Sequence, residues 1–235
     1  MPKNNVKIKK GKKEMKLFIS AVTKLIIGAV FIGAMLFLPA WTIDYPGARL
    51  FIVVLFAPML ILGAFLFIKS PDLLKKRLDS KEKEKTQKGV VALSGLMFPV
   101  GFIVSALDFR FGWSHVPQWA VITSAAAFLV GYGLYAEVMR ENAYLSRTVE
   151  LQENQKVIST GLYSVIRHPM YFATLLMFLP IPLMLGSLWG LIPFALYPVI
   201  IIIRIINEEK VLEMGLDGYT EYKSKVKYRL IPFIW

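Results

Sequence analysis

The chain has 235 residues, 56% of them hydrophobic and 19% charged, with a mean hydropathy of +0.54. Soluble domains hold roughly 45–50% apolar and about 25% charged residues, so the soluble globular classes are set aside in favour of a membrane protein. Lys+Arg number 28 against 16 Asp+Glu, giving +12, and cysteine is absent. That composition excludes disulfides, thiolate metal sites, iron–sulfur clusters and cysteine nucleophiles. The basic residues flank apolar runs, which fits lipid headgroups and membrane topology better than nucleic acid.

Residues Met1 to Lys16 are polar and carry seven Lys, a basic tail expected in the cytoplasm. Leu17 to Leu38 follow as 22 residues with only Lys24 charged. A signal peptide's apolar region is roughly 7–15 residues. This run is longer, so it is read as a retained helix. Leu50–Ile68, Gly89–Leu107 and Val116–Ala136 give uncharged runs of 19, 19 and 21 residues. Each can cross a hydrocarbon core about 30 Å thick. The segment Lys75 to Lys88 between two of them reads as a charged linker, solvated at the lipid surface.

The last apolar run, Pro169 to Ile203, is 35 residues long. One helix of that length would reach about 52 Å, too far for one crossing. Gly186-Ser187 at its centre can turn the chain, so it is expected to be a tight helical hairpin with Pro180, Pro182, Pro193 and Pro198 as tolerated kinks. The fold class is therefore an all-α polytopic membrane bundle of about six transmembrane helices. Residues 1–16 form the tail, 17–137 a four-helix membrane region and 138–235 a core with the hairpin and a C-terminal tail. Of 28 Lys+Arg, 25 lie on alternate segments. The positive-inside rule then places both termini in the cytoplasm of a multi-pass protein, in the cell membrane if the chain is prokaryotic.

Chemistry concentrates in two clusters. Gly161 to Tyr171 opens the first arm of the hairpin and includes Tyr163, Arg167, His168, Pro169 and Tyr171. Arg204 to Glu209 closes the second arm and continues to Leu212, Tyr219 and Tyr222. A hairpin brings the clusters side by side. Pro169 suits the first helical turn, whose free N–H groups, with Arg167 and His168, favour an anion. Arg204 and Glu208 are i, i+4 neighbours, and Glu209 adds a second carboxylate. Cationic groups, carboxylates and aromatic faces together suit S-adenosylmethionine, whose sulfonium fits an aromatic face; other zwitterionic ligands fit too. Taken singly, Arg167-His168 reads equally as a topology anchor, Arg204/Glu208 as a helix-end ion pair, and Tyr219 and Tyr222 as packing. Their joint placement on one hairpin favours a site.

The pattern Gly161-x-Tyr163-x-x-x-Arg167-His168-Pro169-x-Tyr171, then Glu208-Glu209-x-x-Leu212, then Tyr219-x-x-Tyr222-x-x-x-Val226-x-Tyr228-Arg229-Leu230-Ile231-Pro232-Phe233 resembles the isoprenylcysteine carboxyl methyltransferase family. It is most like the prokaryotic members and more distantly similar to phospholipid N-methyltransferases. The resemblance covers roughly residues 140–235. It implies an integral membrane methyltransferase that uses S-adenosyl-L-methionine and takes a lipophilic acceptor, an isoprenoid-like molecule or lipid, from the bilayer. His168, Pro169, Tyr171, Glu208 and Glu209 carry over as cofactor-binding residues, as do Tyr163, Arg167, Tyr219 and Tyr222. Arg204 is assigned the catalytic task of orienting an acceptor carboxylate. Leu216-Asp217-Gly218 precedes Tyr219 where eukaryotic members have a Phe-Gly element one residue longer, so a small lipid acceptor fits as well as a prenylated protein.

Other motifs carry less. Gly131-x-Gly133-x-x-Ala136 lies inside an apolar helix, and the small residues Ala127 and Gly131 read as helix-packing positions. Two His without Cys do not suggest a metal. Glu141, Asn142 and Arg147 are loop residues that could line the acceptor side. Two other functions stand beside methyl transfer: an NADPH-dependent reductase of the sterol-reductase type, which the acidic pair opposes by repelling a polyphosphate, and a non-enzymatic lipid-binding scaffold. A transporter is disfavoured because the midplanes of the spans lack charge.

Overall fold

The computed structural model describes residues 3–78, 85–145, 151–152 and 154–235. Ten α-helices occur among them: α1 (Lys3–Ala40), α2 (Pro46–Lys69), α3 (Pro71–Leu78), α4 (Lys85–Phe111), α5 (Gln118–Glu141), α6 (Pro169–Phe178), α7 (Ile181–Met184), α8 (Leu191–Phe194), α9 (Leu196–Gly215) and α10 (Tyr219–Lys225). No strand occurs among the described residues. Five helical segments, the last of them α8 with α9, are long and apolar enough to cross a membrane; four overlap the first four expected runs and the fifth the second half of the last run. The chain is an integral membrane protein with the expected helical-bundle fold.

Three expectations need adjustment. The polar residues after Met1 and Pro2 are helical, since α1 begins at Lys3 and runs on into the first apolar stretch. The charged linker is in part helical: α3 starts on Pro71, has Asp72 in its first turn and Lys75, Lys76 and Arg77 in its last. Those are helix-start and dipole-matched residues, and Leu73 and Leu74 bury against Leu66, Val138 and Tyr163. Arg77 also reaches over the Tyr135 ring at 5.3 Å. The linker's middle and Arg147 lie outside the described residues. Third, the sixth crossing is a shorter broken arm, Pro169–Met184. α6 ends at Phe178 because Pro180 has no N–H to continue its hydrogen-bond ladder, and α7 resumes behind it.

The hairpin turn falls where Gly186 was expected to make it. Gly186 has φ +80°, the left-handed region that costs glycine little, and its N–H closes on the Leu183 carbonyl at 3.0 Å. The turn is tied down at this end of the bundle. Asp108 of α4, 1% exposed, accepts from Ser187 Oγ at 2.5 Å, Ser114 Oγ at 2.6 Å and the Ser114 N–H at 2.8 Å. Tyr45 donates its hydroxyl to the Leu185 carbonyl at 2.6 Å. Small residues let helices approach: a Cβ on Gly131 of α5 would lie 2.9 Å from the Ala173 carbonyl of α6.

The opposite end gathers the basic segments. Lys24 reaches the Leu78 carbonyl, Lys76 donates to Gln152 at 2.5 Å, and the clusters at 163–171 and 204–209 lie there too. Replacing Asp108 by Ala strands the two serine hydroxyls in the interior. Thermal or denaturant unfolding in detergent should show a loss of about 2–3 kcal/mol, with the far end of the bundle loosening first.

Candidate functional site

The loop before α6 is shaped by one glycine and one carboxylate. Gly161 sits at φ +52°, and a Cβ there would collide with the Glu141 carboxylate. Glu141 Oε2 accepts the Leu162 N–H at 3.1 Å, starting the 3-10 turn Gly161–Ser164 that carries Tyr163. Asn142 donates to the Tyr163 hydroxyl at 2.9 Å, and Tyr222 donates to the Tyr163 carbonyl at 2.7 Å. Glu141 and Asn142 thus position the loop, and Asn142 also lines the cavity beside it.

Behind the loop lies a buried ionic hub. Glu209, 3% exposed, accepts Arg167 Nε at 2.7 Å through Oε1 and Arg229 Nε at 2.9 Å through Oε2. His168 Nε2 lies 3.2 Å from Oε1. Arg167 also donates from Nη1 to the Val226 and Lys227 carbonyls at 2.6 and 2.8 Å. The backbone N–H groups of Arg167 and His168 donate to the Tyr228 and Arg229 carbonyls, both at 2.9 Å. The anion-favouring spot expected at the start of α6 is therefore largely taken by this chain's own C-terminal segment.

In front of the hub is a cavity. Tyr163, Arg167, His168, Pro169, Tyr171, Arg204, Glu208, Tyr219 and Tyr222 all line it, whereas Glu209 stands behind its wall. Tyr171 engages both of the expected i, i+4 neighbours: Arg204 Nε donates to the Tyr171 hydroxyl at 2.9 Å, and that hydroxyl donates to Glu208. Arg204 also lies over the Tyr171 ring at 6.0 Å. The Tyr219 hydroxyl is buried and has no hydrogen-bond partner among the described residues. Arg229, between Tyr228 and Leu230, carries no local sequence signal of its reach to Glu209, and neither does Lys156 on the cavity rim.

Residues 119–217 match the phospholipid methyltransferase family. This family is related to the isoprenylcysteine carboxyl methyltransferases. No curated protein matches the chain. The matched residues run from α5 through α9 and include the hairpin, the 161–171 cluster and Arg204 to Leu212, but not Tyr219 or Tyr222; methyl transfer is the reaction class the match supports. No group of residues suited to a metal occurs among the described residues.

Two outcomes test the geometry. Glu209→Ala leaves Arg167 and Arg229 without their shared carboxylate, and unfolding in detergent should show a loss of about 3–5 kcal/mol, against about 1–2 kcal/mol for Glu208→Ala. Burial pushes the hydroxyls of Tyr163, Tyr219 and Tyr222 above the ordinary tyrosine range. The unfolded chain then releases those protons first as pH rises. Their contribution to stability is full below about pH 10 and declines above it. A melting-temperature series across that range should fall only on the alkaline side, and less steeply in Tyr219→Phe.

Proposed function

We propose that the chain is a membrane methyltransferase that moves the methyl group of S-adenosyl-L-methionine to a lipid acceptor. The observation that carries this reading is the cavity joining both ends of the hairpin. It combines a carboxylate, Glu208, with aromatic faces, an arginine and the orphaned hydroxyl of Tyr219. That donor set fits the cofactor: a carboxylate for its amino group, hydroxyl donors for its polar edges, aromatic rings for its adenine and cationic centre. The cofactor, when bound, supplies a methyl carbon on a sulfonium that departs as a neutral thioether.

Each residue then has a task. Glu208, oriented by Tyr171, holds the amino group. Tyr163, His168, Pro169, Tyr219 and Tyr222 shape and dry the cavity. Arg167 and Glu209 hold the wall, because their charges are spent on each other and on the C-terminal segment. Arg204, fixed against Tyr171, orients an anionic group of the acceptor. Alignment of two reactants out of water can supply several kcal/mol of the barrier, and a carboxylate acceptor needs no base. The family match by itself favours a second reading, an amine headgroup; Glu208 is then one cavity-lining group able to accept a proton. The reductase reading is opposed both by the family and by Arg167, whose guanidinium is occupied by Glu209 and two carbonyls.

In this reading residues 138–235 are the cofactor-binding core, 17–137 a membrane scaffold and 1–16 a basic cytoplasmic tail. The positive-inside rule gives cytoplasmic termini and a cytoplasmic site, in the cell membrane of a prokaryotic chain. Calorimetry with S-adenosylhomocysteine should show binding that Glu208→Gln weakens by about tenfold or more, with none for NADPH; no affinity for S-adenosylhomocysteine would sink the reading. Incubation with labelled S-adenosylmethionine and a lipid extract, followed by alkaline hydrolysis, separates the acceptors: an ester releases its label and a methylated amine keeps it.

A further inference from the structure

At the basic end of the bundle, α1, α2 and α3 line an apolar groove of about 220 Å³ distinct from the cavity above. Phe18, Leu25, Met59, Gly63, Ala64 and Leu74 line it. From Phe18 to Leu25 it runs about 10 Å along the helix axis. Its floor is made of small residues: a Cβ on Gly63 would meet nothing within 4 Å. Its rim is cationic. Lys24 precedes Leu25 and reaches across to the Leu78 carbonyl. Lys69 follows the lining residue Ile68, and Lys75 follows Leu74; all three lysines are exposed.

We propose that this groove binds one acyl chain of an anionic phospholipid, with the headgroup phosphate held by Lys24, Lys69 and Lys75. An apolar slot whose lining residues Leu25, Ile68 and Leu74 each adjoin an exposed lysine complements that molecule better than an uncharged lipid. A basic cluster at a membrane surface favours anionic headgroups. The groove also shares Leu74 with the apolar cluster that packs on Tyr163, so an occupied groove braces α3 against the loop at the methyl-transfer cavity.

Native mass spectrometry of the purified full chain with equal amounts of dioleoyl phosphatidylglycerol and dioleoyl phosphatidylcholine tests this. The wild type should retain one phosphatidylglycerol with a preference of about fivefold or more. Gly63→Leu, whose added side chain enters open space, should lower retention about tenfold with an unchanged melting temperature; Ala64→Phe supplies a second obstruction. The triple change Lys24→Gln, Lys69→Gln, Lys75→Gln should keep a lipid but erase the headgroup preference. Equal retention of both lipids by the wild type, or undiminished phosphatidylglycerol in both groove-filling variants, would overturn the proposal. So would a dimer that disappears in Gly63→Leu, because the groove would then belong to a second copy of the chain.

Discussion

The buried carboxylate of Glu209 is the interaction on which the rest of this end of the molecule depends. It joins Arg167 at the mouth of the first hairpin arm, α9 on the second, and Arg229 in the C-terminal segment. A lone ion here would be severely penalised by desolvation, and the penalty is offset only while all its partners stay in place. One side chain therefore couples three stretches of chain far apart in sequence. The cavity in front of it has a rigid back wall, and the aromatic and polar groups facing inward inherit that rigidity.

This division of labour separates two neighbouring acids. Glu208 and Glu209 differ by about 100° around a helix, enough to point one toward the cavity and the other into the hub. Tyr171 reinforces the difference by engaging Glu208 and Arg204 together. A pair of adjacent carboxylates thus becomes one cavity-facing group and one structural anchor.

The bundle, its spans and the hairpin turn at Gly186 were legible because they rest on apolar run length and on glycine, both local properties. The meeting of His168 and Glu209 followed from the hairpin itself. Less was visible where partners are distant. Nothing in the sequence near Arg167 announces that its guanidinium will be consumed by the Val226 and Lys227 carbonyls. Nothing near Arg204 shows that Tyr171 will bond both it and Glu208. The helix Pro71–Leu78 was hidden by its charge, although Pro71 and Asp72 are ordinary helix-start residues. The break at Phe178 was marked by Pro180, but the resulting shortfall in length shows only once the arm is built.

That shortfall is met within the bundle. The arm Pro169–Met184 reaches about 24 Å at 1.5 Å per residue, less than the roughly 30 Å hydrocarbon slab. No residue of 169–184 is fully exposed, so the long neighbouring helices largely screen this arm from lipid, and the shortfall is absorbed inside the protein rather than by thinning the bilayer.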